Sequence, residues 1–144
     1  MTTAKEKATK LYKKVNTFIV TCVGGDGYPL TKAVVPGKYR ESLDEVYFCT
    51  NTSAKFAEAI SQNPKGSIYF YSRKFFVWKG CLLKGNFEIV DDMELKKKYW
   101  RDLFKNAYPE KAYTCPDFCL VEFAPKVGRL YANFDVQDFE IGRQ

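Results

Sequence analysis

The order of apolar and polar positions along the chain predicts mostly β-strands. Residues 18–23 are almost wholly apolar and rich in β-branched side chains, which favours a strand buried on both faces. Residues 24–27, Gly-Gly-Asp-Gly, form a strong turn signal, and an extended pattern resumes over residues 28–36. We therefore predict that the sheet begins with a β-hairpin.

The same patterns predict further strands over residues 45–50 and 67–71, and a long extended segment over residues 75–90. Gly80 and Gly85 interrupt the long segment, so we expect bends or bulges there. The last predicted element is a hairpin, with its turn at residues 125–128 between strands at residues 118–123 and 129–134.

Helical periodicity predicts three helices set between the strands. Residues 3–15 place apolar side chains on one face, and Thr3 can cap this helix. A second helix opens near Ser53 and must end before Asn63, because a proline follows. Residues 91–107 are the clearest helix, with acidic side chains early and basic ones late, as the helix dipole prefers.

These elements predict a closed or partly open antiparallel barrel of about six strands with two or three peripheral helices. The sequence has 144 residues, which fits one domain. Its aromatic content of 17% suits pleated, half-buried surfaces and also suits flat ligand pockets. We therefore expect a single domain over residues 1–144 with a mainly β (α+β) fold.

The absence of histidine narrows the chemistry, because it excludes histidine-based catalysis and histidine metal ligands. The five cysteines are odd in number and no signal segment is recognisable, so we expect reduced thiols in a cytoplasmic protein. Cys115 and Cys119 have a spacing that could hold a metal or form a disulfide, but no second such pair exists and we expect no metal. No apolar run approaches the ~20 residues of a membrane helix, so no membrane partner is expected.

The polar junction after the third strand is the best candidate site. Thr50, Thr52, Ser53 and Lys55 surround the start of a predicted helix, whose free N–H groups and partial positive charge attract phosphate. The alternative is an ordinary helix cap, since Ser and Thr are common there. Lys32 is a second candidate, because a cation within an extended apolar run either points to solvent or meets a ligand.

Nucleic acid is a weaker candidate partner for a chain with a net charge of +6. Residues 65–71 and 84–89 each resemble the Lys-Gly-aromatic strand motif of RNA-binding sheets. The first has Ser where an aromatic ring should stack, and the second places a glutamate beside the platform. The densest basic run, residues 96–98 followed by Arg101, is interpreted as the solvated face of a helix.

Several short motifs follow one another in a characteristic order, at residues 18–23, 26–29, 32–35, 46–50, 53–55, 63–64, 70–71, 83–91 and 99–100. Together they resemble the pyridoxamine 5'-phosphate oxidase-like FMN-binding split-barrel family, over about residues 10–136. The resemblance implies a six-stranded antiparallel split β-barrel that forms a homodimer, with two flavins bridging the subunits.

The resemblance also implies where the flavin would bind. Its phosphate would meet Lys32, Ser53 and Lys55, with Lys32 in place of the more usual Arg. The remaining positions are the ring contacts along the second and third strands, Val34, Val35, Cys49 and Thr50, and the partner subunit's contribution near Lys79, Gly80 and Tyr131.

The implied activity is that of a flavin reductase or another FMN-dependent oxidoreductase. The vitamin B6 oxidases of this family use an Arg-x-His motif for substrate, and this sequence has no histidine. The resemblance therefore points to the short, general-stress and flavin-reductase-like branch rather than to pyridoxamine phosphate oxidation. A non-catalytic flavin-storing or redox-sensing module stays open, as do F420 or haem as the cofactor and the small basic nucleic-acid-binding barrel.

Overall fold

The computed structural model describes residues 2–108, 110 and 112–142. These residues form seven strands, three α-helices and one 3-10 helix. In chain order, the elements are α1 Ala4–Lys14, β1 Phe18–Val23, β2 Pro29–Val34, β3 Val46–Asn51, α2 Lys55–Gln62, β4 Lys65–Lys74, β5 Val77–Val90, α3 Met93–Tyr99, the 3-10 helix Asp102–Asn106, β6 Phe118–Ala132 and β7 Asp135–Glu140. The predicted fold class is confirmed, with one strand more than the six expected.

The sheet runs in the order β2-β1-β4-β5-β6-β3, with β7 paired to the free half of β6. Every pairing is antiparallel. The two end strands, β2 and β3, approach each other through a single bridge between Pro36 and Phe48. The sheet therefore curves almost into a barrel but stays open along one seam between β2 and β3, as in a split barrel.

The core lies on the concave face of the sheet and is rich in aromatic rings. Tyr12 of α1 stacks on Phe18 at 5.7 Å between ring centroids. At the other end, Phe56 of α2 meets Phe87 edge to face at 5.2 Å and Phe48 at 6.1 Å. The two helices thus cover the two ends of the barrel, and α2 does so beside the open seam.

Gly85 and Gly80 have different roles in the long strand β5. The register shifts between Lys84 and Gly85, so the irregularity predicted at Gly85 is present, but the extra residue, Lys126, lies on the opposite strand β6. A Cβ atom at Gly85 would lie 2.1 Å from the Ala124 carbonyl oxygen, so the two backbones require glycine there. At Gly80 the ladder is regular, so no bulge forms there, and the missing side chain instead makes room for the Tyr69 hydroxyl, 2.3 Å from where a Cβ would lie.

The predicted final hairpin about residues 125–128 is wrong. Strand β6 continues through this segment with an extra residue at Lys126, and the adjacent Pro125 pairs with Gly85 beside this bulge, where a missing N–H does little harm. The first half of β6 pairs with β3 and the second half with β7. The turn instead falls at Asn133, whose φ of 57° is in the left-handed region that asparagine tolerates.

The third helix is shorter than residues 91–107. It ends at Tyr99, and a 3-10 turn follows, because the Trp100 ring turns inward and meets Phe118 at 5.0 Å. The basic run is solvated only in part, since Lys96 is buried with its ammonium 5.8 Å from the Phe118 ring. No helix in the described part of the chain has the length and apolar character needed to cross a membrane.

Candidate functional site

Lys32 extends across the seam between β2 and β3. It lies opposite Val20 in the β1–β2 ladder, so its side chain shares the concave face with that fully buried valine. Its ammonium donates a hydrogen bond of 2.5 Å to the hydroxyl of Thr50, at the end of β3. The Phe56 ring of α2 lies 5.4 Å from the same ammonium. Two candidate residues 18 positions apart thus meet at the seam, with the start of α2 beside them.

The ammonium of Lys32 is half-buried and has no carboxylate partner among the described residues. Burial lowers its pKa from the ordinary lysine value, while the thiols of Cys119 and Cys22 act in the opposite direction. A buried cation without a counter-charge is costly to a fold. An anion at the seam would supply that counter-charge.

The first turn of α2 lies next to this cation, but its cap differs from the prediction. The helix begins at Lys55 with Ala54 as N-cap and no side-chain cap, so Ser53 lies one position before the cap. The Ser53 N–H donates to the carboxylate of Asp117 at 2.8 Å. Ser53 and Lys55 both have exposed side chains, so their hydroxyl and amine are accessible to a ligand.

Asp117 belongs to a segment that the sequence did not indicate as part of the site. The Thr52 hydroxyl donates to the Pro116 carbonyl and the Thr52 N–H to that of Asp117, both at 2.9 Å. The Tyr108 hydroxyl donates to the Thr50 carbonyl at 3.0 Å. The segment before β6 therefore holds the junction between β3 and α2 in place. No local sequence signal reports a contact across 64 residues.

The remaining predicted ring contacts divide between two faces of the barrel. Val34 is buried on the concave face, whereas Val35 follows β2 and is exposed. Cys49 is half-buried on the opposite face of β3 from Thr50, among aromatic side chains of the segment before β6. Burial raises the pKa of the Cys49 thiol to about 12. Only the backbone of Cys49, and not its side chain, therefore faces the seam.

Gly80 and Tyr131 form a separate group on the convex face, and Lys79 lies beside them near the start of β5, with its side chain on the opposite face of the strand. Gly80 pairs with Tyr131 in the β5–β6 ladder, and the Tyr131 ring meets Tyr69 edge to face at 6.5 Å. Lys79 is exposed. Within the described residues, no hydrogen bond, ion pair or ring contact joins this group to Lys32, Ser53 or Lys55. The predicted site residues therefore form two groups in one subunit.

The thiols offer no metal site. All five cysteines lie in the described part of the chain, and each is free. Cys115 and Cys119 are both buried, and they do not bridge each other. Across residues 2–108, 110 and 112–142, no group of three or more cysteines, aspartates and glutamates is arranged to hold a metal ion.

The pyridoxamine 5'-phosphate oxidase family profile matches residues 4–132, which is most of the chain and includes both groups of site residues. The chain belongs to the pyridoxamine 5'-phosphate oxidase family. A search of curated protein sequences finds no match.

Solved structures agree with this assignment. A Clostridium acetobutylicum protein related to general stress protein 26 of B. subtilis is 27% identical, with a TM-score of 0.81 over 94% of this chain and 92% of that chain. General stress protein 26 from Bacillus anthracis is 20% identical, with a TM-score of 0.74 over 95% and 98% of the two chains. A haem-binding protein from Mycobacterium smegmatis is 16% identical, with a TM-score of 0.79 over 97% of this chain and 59% of that one.

The open seam between β2 and β3 is chemically suited to a ligand. It combines a half-buried cation, a buried hydroxyl and a helix N-terminus without a side-chain cap, with a second cation one residue beyond the cap. These donors are those that a phosphate group requires. The opposing charge in the same place is Asp117, which already occupies the Ser53 amide.

Proposed function

We propose that this protein binds FMN at a homodimer interface and acts as a flavin-dependent oxidoreductase. The observation that carries the proposal is the half-buried ammonium of Lys32, which meets a hydroxyl and an aromatic ring but no carboxylate among the described residues. A flavin phosphate in the seam would neutralise this cation and would also lie beside the first turn of α2.

The donors in the seam fit a phosphate monoester. Lys32 and Lys55 would each contribute an ammonium, and Ser53 and Thr50 would contribute hydroxyl groups. Charge-assisted hydrogen bonds of this kind are roughly twice as strong as neutral ones. Lysine binds phosphate as a point charge, whereas arginine binds in a bidentate manner, so Lys32 leaves more freedom in the position of the phosphate.

The backbone of β2 and β3 would hold the isoalloxazine ring. The exposed Val35 and the adjoining Val34 present an edge on one side of the seam, and Cys49 presents its backbone on the other. The partner subunit would bring its copies of Lys79, Gly80 and Tyr131, which explains why these residues lie apart from the seam within one chain. When bound, FMN supplies the hydride and electron transfer, while the protein supplies binding, orientation and electrostatics.

The haem-binding neighbour makes haem the second candidate cofactor. Protein ligands to haem iron are histidine, cysteine thiolate, methionine or tyrosine, and this chain has no histidine. The half-buried Cys49 is a poor thiolate ligand, because burial raises its pKa to about 12. A cationic seam with hydroxyl donors suits a phosphate, so we favour FMN over haem. The five free thiols also support our placing the protein in the reducing cytoplasm.

The test is a titration of the protein with FMN, in which binding is measured by the quenching of flavin fluorescence. We expect saturation at about one FMN per chain, with weaker binding in Lys32→Ala and Lys55→Ala. Lys65→Ala is the matched control, because Lys65 is an exposed lysine at the start of β4, away from the seam. Unchanged affinity in both seam variants would refute the proposed phosphate site.

Turnover distinguishes the oxidoreductase from a flavin-storing or redox-sensing module. The FMN-loaded protein is mixed with NADH or NADPH without oxygen, and the visible flavin absorbance is followed. We expect bleaching of that absorbance and its recovery when oxygen is admitted. Retained FMN that neither nicotinamide reduces at a rate above that of free FMN would favour the non-catalytic module.

A further inference from the structure

Two arginines tie the loop between β2 and β3 to neighbouring helical segments. The guanidinium of Arg40, in this loop, donates hydrogen bonds to the carbonyls of Tyr12 and Val15 at the C-terminal end of α1. The guanidinium of Arg101, just after α3, donates to the Pro36 carbonyl at 3.0 Å. Cations from separate parts of the sequence therefore meet around one loop.

Two lysines join this cluster through tyrosine rings. The ammonium of Lys98, on α3, lies 5.2 Å from the centre of the Tyr39 ring and 5.6 Å from that of Tyr99. The ammonium of Lys38 lies 5.7 Å from the centre of the Tyr39 ring. Tyr39 and Tyr99 meet edge to face at 5.8 Å, so the loop and α3 share one aromatic contact.

The last turn of α1 extends the cluster. Lys13 and Lys14 are exposed there, next to the carbonyls that accept hydrogen bonds from Arg40. The four lysines of the region are exposed and the two arginines are half-buried. We call these six cations the basic face: Lys13, Lys14, Lys38, Arg40, Lys98 and Arg101.

The basic face has no paired carboxylate among the described residues. The three ion pairs between described residues involve other cations, and Glu41 and Glu45 of the same loop pair with none of the six. Burial lowers the pKa of Arg40, and the nearby charge of Arg101 acts in the same direction. Repulsion between like charges opposes the compact state. A negatively charged partner would relieve it.

The cations are held in position without such a partner. Arg40 and Arg101 each use one guanidinium nitrogen for carbonyl oxygens, which leaves their other N–H groups for a further acceptor. Lys38 and Lys98 rest on aromatic rings, and such a contact contributes about 0.5–1 kcal/mol at an exposed site. Side chains that are already ordered lose less entropy when a partner binds.

We propose that the basic face binds the phosphodiester backbone of a nucleic acid, without regard to its sequence. Lysines and arginines clustered on one face are the electrostatic pattern of nucleic-acid-binding proteins. The cations come from a helix end, a loop and a second helix, which suits an extended chain of phosphates better than one small anion. The RNA-like strand motifs at residues 65–71 and 84–89 contribute no residue to this face.

A lipid surface fits the basic face less well. Proteins that bind anionic membranes normally add apolar anchors to their cations. Here the Tyr39 and Tyr99 rings are already in contact with lysines, and Tyr99 is buried. The phosphates of a nucleic acid need only the cations.

The experiment measures the binding of a labelled oligouridylate and of a labelled short DNA duplex by fluorescence anisotropy over a range of salt concentrations. We expect the protein to bind both, because they share the phosphodiester backbone. If four to six phosphates are neutralised, the logarithm of the association constant for the single strand should fall against the logarithm of salt concentration with a slope of about −3 to −4.

A triple variant tests the location. K14Q/K38Q/K98Q removes three exposed cations of the basic face, and it should weaken binding roughly tenfold and reduce the steepness of the salt slope by about 2. K65Q/K84Q/K126Q is the matched control, because it removes three exposed lysines of β4, β5 and β6 and changes the net charge equally. The control should keep the wild-type affinity within about threefold. Lys98→Gln alone should show a smaller loss of the same sign.

Several outcomes would overturn the proposal: a wild type that binds neither oligonucleotide, equal weakening in the two triple variants, or affinity that does not depend on salt. Preferential binding of phosphatidylglycerol vesicles, lost in K14Q/K38Q/K98Q, would assign the face to a lipid surface instead. Repeating the titrations with saturating FMN separates this proposal from the flavin site. We expect unchanged affinity for the oligonucleotides, whereas competition by FMN would locate them at the seam and refute the basic face.

Discussion

Replacing Lys32 with methionine should move stability and FMN binding in opposite directions. Methionine has nearly the length of the lysine side chain but no charge, so it can fill the seam beside Phe56 without the cost of a half-buried, unpaired ammonium. The hydrogen bond to Thr50 is lost, which costs about 1 kcal/mol, and we expect the desolvation cost removed with the charge to be about twice as large. We expect a net gain of about 1 kcal/mol in the free energy of unfolding, or roughly 3 °C in Tm for a domain of this size.

The effect on FMN should be larger and unfavourable. A hydrogen bond to a charged group contributes about 1.5–3 kcal/mol, so its loss at the phosphate should raise the Kd for FMN roughly 10- to 150-fold. The assays are thermal unfolding of the unliganded protein and a fluorescence titration with FMN, each repeated on Lys65→Met as control. A K32M protein that is less stable than the wild type, or that binds FMN within twofold of it, would refute this reasoning.

The difference in the free energy of unfolding between the wild type and K32M should also depend on pH, because the pKa of Lys32 is lowered in the folded state. Burial lowers the pKa of Lys32 in the folded state below its unfolded value, so the unfolded chain binds more protons between the two pKa values. The free energy of unfolding of the wild type should therefore rise, relative to K32M, as pH increases through the lowered pKa towards the ordinary lysine value of about 10.4. A difference between the two proteins that stays constant over this range would show that the charge of Lys32 is not the cause.

Three further outcomes follow from the structure. Asp117→Asn should lower the Kd for FMN about fivefold, because it removes a negative charge from the phosphate site and keeps a hydrogen-bond acceptor for the Ser53 N–H. Weaker binding in the same fluorescence titration would contradict this. Gly85→Ala should lower the free energy of unfolding by about 2–3 kcal/mol in urea, because its Cβ would meet a carbonyl oxygen at 2.1 Å, whereas Gly25→Ala, with nothing within 4 Å, should cost far less. Cys49 and Cys81 should react with a thiol reagent near pH 8 only after denaturant is added, because burial raises the pKa of both thiols to about 12. Fast labelling of the native protein would contradict this burial.

The elements that the sequence predicted well are those set by local chemistry. Strand β1 was predicted with its structural bounds, and Thr3 caps α1 by accepting from the Glu6 N–H at 3.1 Å. The turn into β2 has Gly27 at a φ of 84°, as its Gly-rich signal predicts. In each case the signal and the structure it specifies lie within a few residues of each other.

The errors arise where distant partners decide the local structure. Pro125 predicts a turn when read locally, but its irregular pairing with Gly85, 40 positions earlier, accommodates it within a strand. The end of α3 is set by Trp100, which packs on Phe118, the first residue of the distant strand β6. Periodicity within one segment cannot report such contacts.

The candidate site shows the same limit. Its residue types were predicted from the sequence, and the structure brings two of the predicted residues, Lys32 and Thr50, into contact. The opposing carboxylate of Asp117 could not be predicted, because it reaches the Ser53 amide through the fold and not through the sequence. The division into two groups likewise depends on which face of β5 and β6 each side chain occupies.

The identity of the bound cofactor tests the central claim most directly. The protein would be purified without added ligand, denatured, and the released small molecule quantified by absorbance and identified by mass spectrometry. The account predicts FMN at up to one per chain, with reconstitution to about one per chain after FMN is added. Haem or F420 in place of FMN, or a protein that remains colourless after FMN is added, would contradict it.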